Sequence, residues 1–162
     1  MKNTVANRGK AFEERISAQF SEIETCNIVR LYDPTYGGAG ISNPCDFIVY
    51  DYPIIIYLEC KCFNGNSFSF KRLSQWSKLM KLARKQGVVA GVLFWFISHD
   101  KTVFVSIEEL QRLKEMGEKG LNINKLDLCH YVEMTGNKKH VYFDYDIRLF
   151  LGKLKKEIII NG

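Results

Sequence analysis

Asp46-Phe47-Ile48-Val49-Tyr50-Asp51-Tyr52-Pro53-Ile54-Ile55-Ile56-Tyr57-Leu58-Glu59-Cys60-Lys61 is the stretch that decides how this chain folds. An acid ends a Pro44-Cys45-Asp46 turn and opens one apolar run. A second acid comes late in the next run, with a lysine two residues on. The runs read as strands 46–51 and 54–62, joined by a hairpin turn at Tyr52-Pro53. Side chains in a strand alternate faces, so Glu59 and Lys61 point one way and Leu58, Cys60 and Cys62 the other. A hairpin centred on Tyr52-Pro53 pairs positions whose numbers sum to 105, which sets Asp46 opposite Glu59.

Opposed residues sit roughly 5 Å apart at Cβ, and two carboxylates held that close repel unless a cation lies between them. Oxygen ligands favour Mg²⁺, with Mn²⁺ able to substitute. A carboxylate pair beside a lysine suits metal-assisted attack of water on a phosphodiester. The plainer alternative is an edge hairpin whose Asp46, Glu59 and Lys61 are solvated surface groups. Against it stands the continuous run Ile54 to Leu58, the pattern of a strand buried on both faces. Charges at the end of such a strand are costly unless paired or bound to metal.

Working outward, the 162 residues suit one domain, and 46% of them are apolar, enough for a sizeable core. No run reaches the roughly 18 apolar residues of a membrane span, and the N-terminus has no apolar stretch of signal-peptide type. The expectation is a cytoplasmic protein with no membrane partner. The five cysteines (Cys26, Cys45, Cys60, Cys62 and Cys129) read as reduced thiols. Cys60-x-Cys62 lacks the C-x₂-C spacing of a zinc site, and both residues take the buried face of a strand. Net charge is +5, from 23 Lys and Arg against 18 Asp and Glu. The distribution says more: 71–85 holds Lys71, Arg72, Lys78, Lys81, Arg84 and Lys85 and no acid, and Lys153, Lys155 and Lys156 make a second cluster. Such runs can be solvated helix faces. An acid-free helix directly after Glu59-Cys60-Lys61 points instead to phosphate contact.

The pattern predicts a first helix over 8–24, with Phe12, Ile16, Phe20 and Ile23 as its apolar stripe. A short strand follows at 28–32. A glycine-rich loop, 33–44, has Tyr36 within it. A second helix spans about 70–86, with Leu73, Trp76, Leu79, Met80 and Ala83 inward and Gly87 as its stop. The strand 88–97 is the most apolar and should be central, with 102–105 beside it. Ser106 and Glu109 form a capping-box pattern for a helix to about Met116. Residues 117–127 read as irregular. A hairpin of 131–135 and 141–145 turns at Gly136-Asn137, and a C-terminal helix covers 146–159. Exposed Tyr131, Tyr142, Phe143 and Tyr145 could form a subunit interface or belong to the core. The expected architecture is α/β: a restriction-endonuclease-like mixed central β-sheet flanked by helices, with an α-β-β-β-α-β core over about 5–115.

The Asp46, Glu59 and Lys61 constellation resembles the PD-(D/E)XK nuclease superfamily, with Pro44 as its proline and Cys45 inserted before the acid. Asn7-Arg8-Gly9-Lys10-Ala11-Phe12-Glu13 is similar to the N-R-G-x-x-L/F-E signature of the RecU-type Holliday junction resolvases. The Asp46 to Glu59 spacing, Ser67-Phe68 before the basic helix, and the strand pair 88–97 and Val103-Phe104-Val105 are similar too. The resemblance covers roughly residues 5–115. It implies a Mg²⁺-dependent endonuclease that cuts four-way DNA junctions symmetrically as a homodimer, with no small-molecule cofactor. Glu13, Asp46, Glu59 and Lys61 would be catalytic. Asp46, Glu59, the backbone carbonyl of Cys60 and Glu13 would hold the metal. Arg8, Lys10, Lys71, Arg72, Gln75 and Lys78 would contact DNA. Taken as a residue alone, Glu13 reads more readily as an exposed helical acid paired with Lys10 or Arg15. Glu13 and Asp46 lie 33 positions apart, closer than in that family, whose stalk occupies this interval. Loop 33–44 could be a shortened substitute. Two alternatives follow: a restriction- or repair-type nuclease acting on duplex or flap DNA, and a catalytically silent DNA-binding protein on the same fold.

Overall fold

The computed structural model describes residues 5–32, 42–139 and 143–161, with side chains from 7 to 157 among them. Most of the interval 33–44, including Tyr36, lies outside the described residues, as does Tyr142. Helix α1 (Val5–Ser21) leads into β1 (Asn27–Arg30), β2 (Phe47–Asp51) and β3 (Ile54–Phe63). A short strand β4 (Ser67–Ser69) and a 3-10 turn (Phe70–Arg72) precede α2 (Trp76–Ala83). Then come β5 (Val88–Phe96), β6 (Lys101–Ser106), α3 (Ile107–Glu115), β7 (Gly120–Asn122), β8 (Val132–Glu133), β9 (Gly136–Lys138), β10 (Phe143–Tyr145) and α4 (Ile147–Asn161).

The main sheet has the order β1-β2-β3-β5-β6-β8. Only β3 and β5 run parallel, and every other neighbouring pair is antiparallel. The mixed central sheet and the α-β-β-β-α-β order are therefore those expected from the sequence. The hairpin has the expected register, Phe47 opposite Leu58 and Asp51 opposite Ile54. Asp46 and Glu59 stand one step beyond the last pair of that ladder.

Each face of the sheet meets two helices. Ile54, Ile56, Leu58 and Cys60 of β3 pack against Phe12, Ile16 and Phe20 of α1 and against Phe150, Leu151 and Leu154 of α4. Val92, Phe94 and Phe96 of β5 and Val103 and Val105 of β6 pack against Leu79 of α2 and Leu110 and Leu113 of α3. The four-residue spacing of Phe12, Ile16 and Phe20 is one stripe of a helix, and all three side chains are buried. At Gly91 of β5 a Cβ would lie 2.5 Å from the Phe104 ring and from the Val105 carbonyl, so β5 and β6 approach as closely as they do because that residue is glycine. A buried carboxylate, Asp51, takes Lys155 of α4 at 2.6 Å and ties that helix to the far end of β2. The Ser106 hydroxyl accepts the Glu109 amide at 3.2 Å, the N-cap read from the sequence. Among the described residues no helix is long and apolar enough to cross a membrane.

Three expectations need correction. The helix foreseen over 70–86 is shorter and broken: 70–72 form a 3-10 turn, Leu73 leaves helical geometry (φ −95, ψ 86), and the Phe70 amide is held by the Lys119 carbonyl at 3.0 Å. Part of the region read as irregular forms β7, which pairs with β4 by placing buried Phe68 opposite buried Leu121. Gly136-Asn137 is not a turn. Val132 and Glu133 join the main sheet beside β6, while 136–138 form β9 and pair separately with β10. Tyr145, one of the aromatics considered for an interface, is core: it is buried and its hydroxyl meets Thr102 Oγ1 at 2.9 Å.

The run Ile54 to Leu58 is enclosed less completely than expected. Ile55 and Tyr57 are only half-buried, because α2 has eight residues and covers β5 more than β2 and β3. Tyr50 of β2 and Val29 of β1 are exposed on that uncovered side.

Candidate active site

The site is built on the open end of the β2–β3 hairpin. The Asp46 carbonyl accepts the Leu31 amide at 2.8 Å, which ties the start of β2 to the end of β1. The Asp46 carboxylate reaches across the hairpin and accepts the backbone amide of Cys60 at 2.7 Å. It is therefore fixed by main chain beside the Glu59-Cys60-Lys61 segment.

Glu59 is fully buried, with 0% of its surface exposed. Lys61 Nζ donates to Glu59 Oε1, as two same-face residues of one strand can. The other oxygen, Oε2, is buried and finds no hydrogen-bond partner among the described residues. Burial pushes the Glu59 carboxyl up to about 7, the Asp46 charge adds to the rise, and Lys61 opposes it. A buried carboxylate oxygen left without a donor is a costly arrangement in a metal-free protein.

Glu13 comes to this end from α1. Its carboxyl is raised first by burial and then by Asp46, and lowered by Arg30 and Lys61. Glu13 is thus within electrostatic reach of Asp46 and Lys61. Its partner is neither Lys10 nor Arg15 but Arg30 of β1, with Nη2 to Oε2 at 2.6 Å. Arg30 is the site residue that sequence reading missed. The β1–β2 register that sets Arg30 opposite Phe47, next to Asp46 in the chain, emerges only in the fold.

Cys60 contributes a core side chain and the amide that holds Asp46. Its thiol is raised by burial and the neighbouring acids, and the Cys45 thiol is pushed up to about 12 by burial, Glu59 and Asp46. Both are neutral thiols near pH 7 and unsuited to nucleophilic attack. None of the five cysteines forms a disulfide.

The residues expected to touch DNA divide into two groups. Lys10, Lys71 and Arg72 are exposed, and the Arg72 guanidinium lies 5.1 Å from the Phe68 ring centre. Arg8 is half-buried, and its charge is felt by the Cys62 thiol beside Lys61. Gln75 stands at the N-cap of α2, accepting from the Ser74 hydroxyl at 3.0 Å. Lys78 is committed elsewhere, donating to the carbonyl and hydroxyl oxygens of Ser42. It serves to fasten the segment that leads to Asp46.

The donor set fits a hard divalent cation: Asp46, Glu59 and Glu13 offer carboxylate oxygens alone, and Glu59 Oε2 is without a donor. As they stand, no three His, Cys, Asp or Glu side chains among the described residues come together closely enough to hold an ion. Asp46 is engaged with the Cys60 amide and Glu13 with Arg30.

No family model matches the chain, and no curated protein matches it in sequence. Among solved structures, the chain is similar to Archaeoglobus fulgidus Hjc, described as a Holliday junction resolvase from an archaeal hyperthermophile. Identity is 18% and the TM-score 0.48, over 73% of this chain and 98% of that one.

Proposed function

We propose that this chain is a Mg²⁺-dependent DNA endonuclease, a Holliday junction resolvase acting as a two-fold homodimer. The observation that carries the reading is Glu59: a fully buried carboxylate with one oxygen on Lys61 and the other without a donor, beside Asp46. Carboxylates are kept in such surroundings where a cation completes them. Asp46 and Glu59 would hold Mg²⁺, or Mn²⁺ in its place, with Glu13 and the Cys60 carbonyl as further ligands. When bound, the ion supplies Lewis-acid polarisation of the scissile phosphate and charge for the leaving oxygen.

The chain's own residues do the rest. Lys61, held by Glu59, orients the attacking water and offsets negative charge as it develops on the phosphate. The Cys60 amide would restrain Asp46 beside the Glu59-Cys60-Lys61 segment. Arg8, Lys10, Lys71 and Arg72 would hold the DNA backbone without reading sequence, and Gln75 at the start of α2 would add a polar contact. Resolution needs two symmetric cuts, which a two-fold dimer provides. Such an enzyme works on DNA in the cytoplasm.

A second reading is favoured by the interval of 33 positions between Glu13 and Asp46: a restriction- or repair-type nuclease on duplex or flap DNA. One assay separates the readings. A labelled four-way junction and a matched linear duplex are incubated with Mg²⁺ and with wild type or Glu59→Ala. Symmetric nicking of the junction alone, lost in the variant, is the expected result. Equal cutting of both substrates removes junction selectivity and keeps the nuclease. No metal-dependent cutting of either leaves a DNA-binding protein on this fold.

A further inference from the structure

We propose that Arg30 is a positioning residue that serves Glu13 as an internal counter-cation, and that loading of the carboxylate site exchanges Arg30 for the divalent ion on Glu13. The inference rests on the reading of Asp46 and Glu59 as metal ligands.

Four observations carry it. Arg30 Nη2 lies 2.6 Å from Glu13 Oε2, a charge-assisted bond between side chains only about a quarter exposed. Arg30 is held on its own side as well. Its strand position opposite Phe47 is fixed by the β1–β2 ladder, and its guanidinium carbon is 5.4 Å from the Tyr32 ring centre and 5.8 Å from that of Phe47. Glu13 is bonded to Arg30, which the ladder sets opposite Phe47, the chain neighbour of Asp46, and it lies within electrostatic reach of Asp46 and Lys61. Yet no three acids converge as they stand among the described residues, while Glu59 Oε2 remains without a donor.

The two cations differ in what they can satisfy. A guanidinium donates in a planar fork and bonds one carboxylate well. A divalent ion takes oxygens from several directions at once, and could draw Glu13, Asp46 and the open Glu59 oxygen to one centre. Arg30 therefore keeps the metal-free cluster from flying apart by like-charge repulsion, and also competes with the ion for Glu13. Removing the competitor while keeping the bulk of its stem should tighten metal binding. A merely structural role for Arg30 moves affinity the other way.

The test measures Mn²⁺ binding to the protein alone, without DNA, by calorimetry and by the electron paramagnetic resonance of free Mn²⁺. Arg30→Met is expected to bind at least about tenfold more tightly than wild type, the size of one charge-assisted hydrogen bond expressed as affinity. Arg30→Lys keeps a cation and is expected near wild type. The gain should vanish when Glu13→Gln is added to Arg30→Met. Equal or weaker binding by Arg30→Met, with wild-type binding intact, overturns the inference and leaves the metal reading standing. No Mn²⁺ uptake by either protein overturns both. Should Arg30→Met not fold by circular dichroism, the wild type carries the test through its ¹⁵N-labelled arginine side chains. The Arg30 Nε–H signal is expected to shift in step with Mg²⁺ saturation, and a signal that stays fixed overturns the exchange.

Discussion

Substituting Glu59 by glutamine should make the metal-free protein more stable, and the gain should depend on pH. The Glu59 carboxyl sits at about 7 in the folded chain against an ordinary value of 4.5. An acid whose folded value is raised binds more protons folded than unfolded between those limits. Stability is then fully present below pH 4.5, falls as pH rises toward 7, and is flat above. The shift corresponds to about 3 kcal/mol at full ionisation, at 1.36 kcal/mol per unit. The net value already includes the help of Lys61, which is lost in the variant. Glutamine does not titrate, so any constant offset from its own hydrogen bonds drops out of the comparison. The assay is urea unfolding of wild type and Glu59→Gln in EDTA at pH 5, 6, 7 and 8. Part of that shift is already expressed below pH 5, so the difference in unfolding free energy should change by about 2.5 kcal/mol in favour of the variant across that window. A difference that is constant within about 0.5 kcal/mol would refute the account of a carboxylate held against its own burial.

Asp46→Asn keeps an acceptor for the Cys60 amide, so it should leave the melting temperature within about 3 °C of wild type while abolishing junction cleavage. Asp46→Ala, by contrast, strips that acceptor and should lose about 1–3 kcal/mol in urea unfolding. Gly91→Ala forces a methyl group to 2.5 Å from the Phe104 ring and the Val105 carbonyl, and should cost at least about 2 kcal/mol, read as a lowered urea midpoint. Lys71→Ala with Arg72→Ala should weaken DNA binding alike for all sequences and lower the salt slope of log affinity by about 2, with Mn²⁺ affinity unchanged, in fluorescence anisotropy titrations.

Much of the hairpin was legible because strand alternation and a turn centre fix register with nothing else needed. Asp46 and Glu59 fall one step past the Phe47–Leu58 pair as the arithmetic required. The stripe of Phe12, Ile16 and Phe20 was readable for the same local reason. What escaped the sequence depends on partners distant in the chain. The segment before the basic helix is held as β4 against β7, about 50 positions away in the chain, and the helix starts only after it. Gly136-Asn137 looks like a turn by composition, yet the departure of β8 to the main sheet moves the reversal further on. The Arg30 to Glu13 pair spans 17 positions and joins two elements, α1 and β1, and neither strand periodicity nor helix spacing signals it. The missing partner of Glu59 Oε2 is a property of packing, which a one-dimensional pattern does not carry.

The bond from the Cys60 amide to Asp46 joins residues only 14 positions apart, inside one hairpin. Two of the three acids are thus brought together by a small loop closure, which polypeptides complete within about 1–10 μs in isolated hairpins. Glu13 arrives only when α1 docks on the opposite face, and Arg30 only when β1 adds to the edge. If the hairpin closes before α1 and β1 dock, Asp46 and Glu59 meet with only Lys61 of the same hairpin to offset them. Lys61, two residues from Glu59 on the same strand, then travels with the pair it neutralises, so the hairpin carries its own counter-charge into the fold.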